Sequence, residues 1–212
     1  MKTILFIALL CVSVYSVTAQ QQNKEDSVRA MISKQKADKA EVDALLYLSS
    51  LQIQMDSAIK FANQGLTLAK SINYEKGEAD CYLILAAINV GQQNISQSLK
   101  YSFDALKIYK NIGDIQGAVL AHLILQGNYR QAADFNSSLA HAHEGLQIAE
   151  ANNVIGKDRT FPGHRIAPLL LAEIGGTHLL NYQLDSALIY TQQSILKTKS
   201  LMVPAGAFRY IC

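Results

Sequence analysis

The chain has 212 residues, half of them hydrophobic and 17% charged, with 19 Lys+Arg against 17 Asp+Glu. That length holds one domain with a sizeable core or a short repeat array, and no charge block points to nucleic acid. With only 3 Pro and no Trp the composition favours long helices, because Pro removes a helix donor and clashes with the preceding turn.

The N-terminal segment up to Ala19 reads as a signal peptide. Met1-Lys2 supplies the positive end, Ile4 to Val14 is an apolar run, and Val17-Thr18-Ala19 places small residues at a cleavage position. The apolar run is shorter than the ~20 residues that span a bilayer. Cleavage after Ala19 and export to the periplasm or cell surface are expected; the competing reading is an N-terminal anchor or a buried helix. Cys11 follows Leu10 where a lipobox has a small residue, which disfavours a lipoprotein. Cleavage leaves Cys81 and Cys212, too few for a disulfide framework. Cys81 lies among apolar residues and reads as a buried thiol. Residues 20–37 are expected to form a polar segment with a short helix near 26–34 that caps the first pair.

From residue 38 on, the sequence repeats. Ile59, Leu99 and Leu139 recur at a constant forty-residue step, and the same step links Ala62, Ser102 and Ala142. It also links Gly65, Ala105 and Gly145, then Leu66, Leu106 and Leu146, then Leu68, Ile108 and Ile148. A fourth copy, Ala187, Thr191, Ser194 and Ile195, follows the third at a step longer by nine. The insertion falls in Gly156 to Arg165, where Pro162-Gly163 reads as a loop. Within a copy, Leu99, Ser102, Phe103 and Leu106 follow helical spacing. The small column at 65, 105, 145 and 194 lets a neighbouring helix approach closely. Asp56-Ser57-Ala58 and Asp185-Ser186-Ala187 are expected to cap helix starts. Asn73, Gly91-Gln92-Gln93-Asn94, Asn111-Ile112-Gly113-Asp114 and Asn152-Asn153 read as turns. The pattern predicts helix pairs at 38–54 with 56–70, 75–92 with 96–111, 115–130 with 135–151, and 166–181 with 184–199.

Catalytic and cofactor motifs are not found. His143-Glu144-Gly145-Leu146-Gln147 begins like a zinc-protease helix, but Gln147 stands where the second His is required. His141 and His143 are two apart, point in different directions on a helix, and read as a surface pair. Gly156-Lys157 is followed by Asp158, so no phosphate loop exists, and there is no G-x-S-x-G elbow. Asn94-Ile95-Ser96 and Asn136-Ser137-Ser138 match the glycosylation pattern. No enzyme, metal or cofactor is expected of this chain.

The repeat resembles the tetratricopeptide repeat (TPR) in a longer form, over residues 38–200. The second-helix signature is carried by Ala58, Ala62, Gly65, Leu66; by Ser98, Ser102, Ala105, Leu106; and by Ser138, Ala142, Gly145, Leu146. First-helix elements are Ile174-Gly175 and Tyr129. The resemblance implies an all-α fold, a right-handed α-solenoid of about four helix pairs at 38–74, 75–114, 115–153 and 166–200. Residues 201–212 are expected to start a further, truncated repeat of a longer membrane protein, because Pro204 suits a helix start and nothing follows to cover Phe208 or Ile211; the alternative is that residues 203–212 fold back as a cap. It also implies a concave face lined by the first helix of each pair, with Asp43, Tyr47, Asp80, Leu83, Ala87, Leu123, Arg130, Leu169 and Leu179 facing a protein or peptide partner. Asp43 and Tyr47 replace the basic and amide groups with which one subtype holds a C-terminal carboxylate. Asp-Ser-Ala helix starts and the Asn-Ile-Gly-Asp turn look like the extracytoplasmic part of bacterial membrane sensor histidine kinases. The expected function is an exported interaction module of a signal-transduction protein; the alternative is a free-standing periplasmic or secreted scaffold.

Overall fold

The computed structural model describes residues 38–51, 55–152 and 166–202. The expected signal peptide, the capping helix, the loop around Pro162-Gly163 and residues 203–212 lie outside these residues.

The described residues form eight helices and no strand: α1 (Lys39–Leu51), α2 (Met55–Ser71), α3 (Glu75–Gly91), α4 (Ile95–Ile112), α5 (Ile115–Gln131), α6 (Phe135–Ala151), α7 (Ile166–Leu180) and α8 (Leu184–Met202). Each of these helices has a counterpart among those the repeat spacing predicts. Helices consecutive in the chain pack on one another, α1 with α2 and each of α4 to α7 with the next, which is the α-solenoid arrangement.

One turn geometry joins most of these helices. Asn73, Gln93, Gly113 and Ala133, evenly spaced at half the repeat step, all have positive φ, and Tyr182 repeats the conformation after the longer step. The next N–H in each case reaches back to the fifth residue before it: Tyr74 to Ala69 O, Asn94 to Asn89 O, Asp114 to Tyr109 O, Asp134 to Tyr129 O and Gln183 to His178 O, at 2.8–2.9 Å. A left-handed residue with such a bond satisfies the last carbonyls of a helix and reverses the chain. Only Gly113 is a glycine; the other four carry a side chain in a conformation that costs about 1–2 kcal/mol. The following residue then starts the next helix. Asn94, Asp114 and Asp134 each accept a bond from the N–H three positions on, those of Gln97, Gly117 and Ser137. This corrects the capping expectation for Asp185, which lies within the first turn of α8, two positions past Gln183; Asp56 lies within the first described turn of α2. Both carboxylates complement the helix dipole there.

The described residues divide into two compact units, up to Cys81 and from Tyr82 onward, with the division inside α3. In the first unit, Val42, Leu45 and Leu48 of α1 are buried with Ala58, Ala62 and Ala69 of α2, and with Ala79 and Cys81. Gly65 allows the approach: a Cβ there would lie 3.1 Å from Cys81 Sγ and 3.5 Å from Leu45 Cβ. Ser49 Oγ donates to Ala58 O at 2.8 Å.

In the second unit a core of Val119, Ala142, Leu146, Ala149, Ile166, Leu170 and Ile174 joins α5, α6 and α7. Polar groups are buried within it in a repeating way. Ser98 Oγ donates to Ala86 O (2.8 Å), and Ser138 Oγ, one repeat step on, to Gln126 O (3.0 Å). Asn128 Nδ2 donates to Ser98 Oγ at 2.8 Å. Thr177, the counterpart of Asn128 after the longer step, lies 3.4 Å from Ser138 Oγ and accepts from Gln126 Nε2 at 3.2 Å. Each bond meets a donor or acceptor that burial would otherwise leave unpaired. No described helix is long and apolar enough to cross a membrane.

Candidate binding face and a histidine cluster

The residues expected on the first-helix face fall in both units. In the first unit Asp43 is exposed and accepts a long bond (3.4 Å) from the Tyr74 hydroxyl. Lys39 Nζ lies 5.1 Å above the Tyr74 ring. Burial, together with the carboxylates of Asp43 and Asp80, raises the Tyr74 hydroxyl above its ordinary pKa. Tyr47 is half-buried, and Asp80 pairs with Lys76 one turn earlier (3.5 Å).

In the second unit Leu83, Leu123 and Leu169 are half-buried, while Ala87 and Leu179 are exposed. Leu123 packs against the core cluster. Arg130 forms an ion pair with Glu173. That pair runs from α5 to α7, the first helices of successive pairs, so Arg130 ties two repeats together. Arg–carboxylate bonds of this kind are charge-assisted and orientation-specific.

A second feature, a file of stacked rings, has no signal in the local sequence pattern. Tyr129 and His141 stack with centroids 5.4 Å apart at 10°; their counterparts in the fourth copy, His178 and Tyr190, stack at 5.4 Å and 11°. Phe103 meets His141 edge-on at 64°, and His143 meets Tyr190 edge-on at 63°. Tyr82 and Tyr101 lie 5.8 Å apart, and their counterparts one repeat step on, His122 and His141, lie 5.4 Å apart. The same ring contacts thus recur from repeat to repeat, with His in place of Tyr in the third pair.

His141 is therefore half-buried between Tyr129, Phe103 and His122, which corrects its reading as half of a surface pair with His143. Its Nδ1 lies 3.2 Å from His122 Nδ1. His122 is fully buried, and its Nε2 has no hydrogen-bond partner, although Glu144 Oε2 is 3.5 Å away. Burial outweighs the Glu144 carboxylate and lowers the His122 pKa to about 4. Burial also lowers the pKa of His141 and of His143. His122, His141 and Glu144 come together from α5 and α6 because the Ala133 turn folds those helices side by side.

No protein-family model matches the chain, and no curated protein matches it. Two solved structures are similar. RapI in its apo form superposes with a TM-score of 0.68 at 17% identity, over 81% of this chain and 61% of RapI. The chain thus spans less than two thirds of RapI's length. BtubC (BKLC) from P. vanneervenii superposes with a TM-score of 0.61 at 16% identity, over 93% of this chain and 84% of that one. At such identities the likeness speaks for the fold alone: an all-helical repeat architecture that fits the tetratricopeptide type.

Proposed function

We propose that this chain is an exported protein-binding module that recognises a protein or peptide along its first-helix face and acts without catalysis of its own. Likeness to the RapI fold supports a protein-binding scaffold. The observation that carries the reading is on α7. Leu179 is 57% exposed there, on the helix that Glu173 ties to Arg130 of α5. An apolar side chain kept in water on a first helix tied to its neighbour offers an anchor for a partner, and a few such anchors supply most of the affinity of an interface.

The finer reading is that the module is the sensor or scaffold portion of a signal-transduction protein at the bacterial cell surface. The signal-like residues 1–19 and the Asp-Ser-Ala and Asn-Ile-Gly-Asp motifs support it. A free-standing exported scaffold is the second reading, supported by the same leader.

Photo-crosslinkers at Ala87 and Leu179, both exposed on first helices, test the binding face against controls at Lys107 and Gln147, exposed on second helices. A partner captured from the first-helix positions alone supports the proposal; equal capture from the controls sinks it. N-terminal sequencing of the secreted chain tests export, with Gln20 as the expected first residue.

A further inference from the structure

We propose that His122, His141 and Glu144 form a zinc-binding site between α5 and α6. The inference stands apart from the protein-binding reading. Their ligand atoms all lie within 4.8 Å of one another. The nearest approaches are 3.2 Å between the two Nδ1 atoms and 3.5 Å from His122 Nε2 to Glu144 Oε2. Zinc holds nitrogen and oxygen ligands at about 2.0–2.2 Å, so a tetrahedral site separates its ligand atoms by roughly 3.3 Å. The approach of His122 Nε2 to Glu144 Oε2 is near that edge length, and the Nδ1–Nδ1 approach, which uses the other nitrogen of His122, holds the two rings together beside it.

Burial and chemistry favour the same assignment. His122 is fully buried, and its Nε2 is without a hydrogen-bond partner. A buried polar atom of this kind is costly unless something binds it, and an imidazole nitrogen next to a second imidazole and a carboxylate is a donor set that zinc accepts. His141 and Glu144 are three apart on α6, so they share one helical face. Tyr129 stacked on His141 fixes the ring's plane. The half-buried His141 and the exposed Glu144 leave an entry path from solvent, and three protein ligands leave a fourth position for water or an incoming group.

The repeat supplies an internal comparison. One repeat step earlier the two ring positions hold Tyr82 and Tyr101, which stack but offer no imidazole. Packing alone therefore accepts tyrosine at these positions, and the third pair is the one that places two imidazoles and a carboxylate together.

This comparison also selects variants that should fold. His141→Tyr restores the residue found at 101 and 190, and Glu144→Gln changes an exposed group. The untagged full chain, dialysed against zinc chloride, is expected to retain one zinc ion and to melt at a higher temperature than the metal-free chain. Substituted cobalt should show the visible bands of a four-coordinate ion. Either variant should weaken zinc binding by at least the ~10–100-fold that loss of outer-shell partners costs other sites, with its far-UV circular dichroism unchanged. His143→Ala should bind as the parent does. Absence of zinc binding by the parent overturns the site, as does undiminished binding by Glu144→Gln or His141→Tyr.

Discussion

Asn128 Nδ2 donates to Ser98 Oγ at 2.8 Å, far along the chain from it, and both side chains are fully buried. Ser98 in turn donates to Ala86 O, so one hydroxyl joins three helices, α3, α4 and α5. The counterpart contact of Thr177 with Ser138 shows that the arrangement belongs to the repeat.

Removing this hydroxyl strands a buried amide. Ser98→Ala should destabilise the fold by about 1–3 kcal/mol, the penalty for a buried donor left unmade. In a double-mutant cycle with Asn128→Ala the two losses should be less than additive, because either change alone breaks the bond. Urea titrations of the four proteins measure the coupling; strictly additive losses would separate the two residues energetically.

The small column limits how close helices come. Gly65→Leu and Ala105→Leu should each cost about 1–3 kcal/mol by overpacking. Gly65 has Cys81 Sγ only 3.1 Å from where its Cβ would stand, and Ala105 is fully buried. Thermal melts that match the parent would show that these positions do not set the helix approach.

Left-handed turns offer stabilising changes. Gln93→Gly and Ala133→Gly should raise stability by roughly 1 kcal/mol each, since glycine adopts their φ of 59° without the Cβ penalty. Gly113→Ala should act in the opposite direction, at φ 71°. Urea midpoints that move the other way would show that side-chain contacts outweigh backbone strain.

Cys81 should resist modification while the protein is folded. Burial, helped by the carboxylates of Asp80, Glu78 and Asp43, raises its thiol to about 12, well above the ordinary 9.0. At pH 8 almost no thiolate is present, and the thiolate is the reacting form. In a chain with Cys11 and Cys212 replaced by alanine, a thiol reagent should label Cys81 only as fast as the structure opens. Denaturant should accelerate the labelling; rapid labelling without it would place the thiol in reach of solvent.

The sequence alone determined the helical class, the forty-residue period, the small column and the helix positions. These follow from local spacing: apolar and small residues must recur on one helical face for helices to pack, and turn residues must separate them. It also supplied first-helix candidates, but not what each touches. Arg130 meets Glu173, two helices further along the chain, and nothing in the local pattern names that partner. The histidine cluster shows the same limit. His122 and His141 lie on different helices, and a helical reading compares His141 only with neighbours three or four positions off. They meet because the Ala133 turn runs α6 back along α5, so residues on either side of the turn come to face one another. The tertiary structure alone decided which side chains lie opposite, and with that which buried groups are paired and which nitrogen is left without a partner.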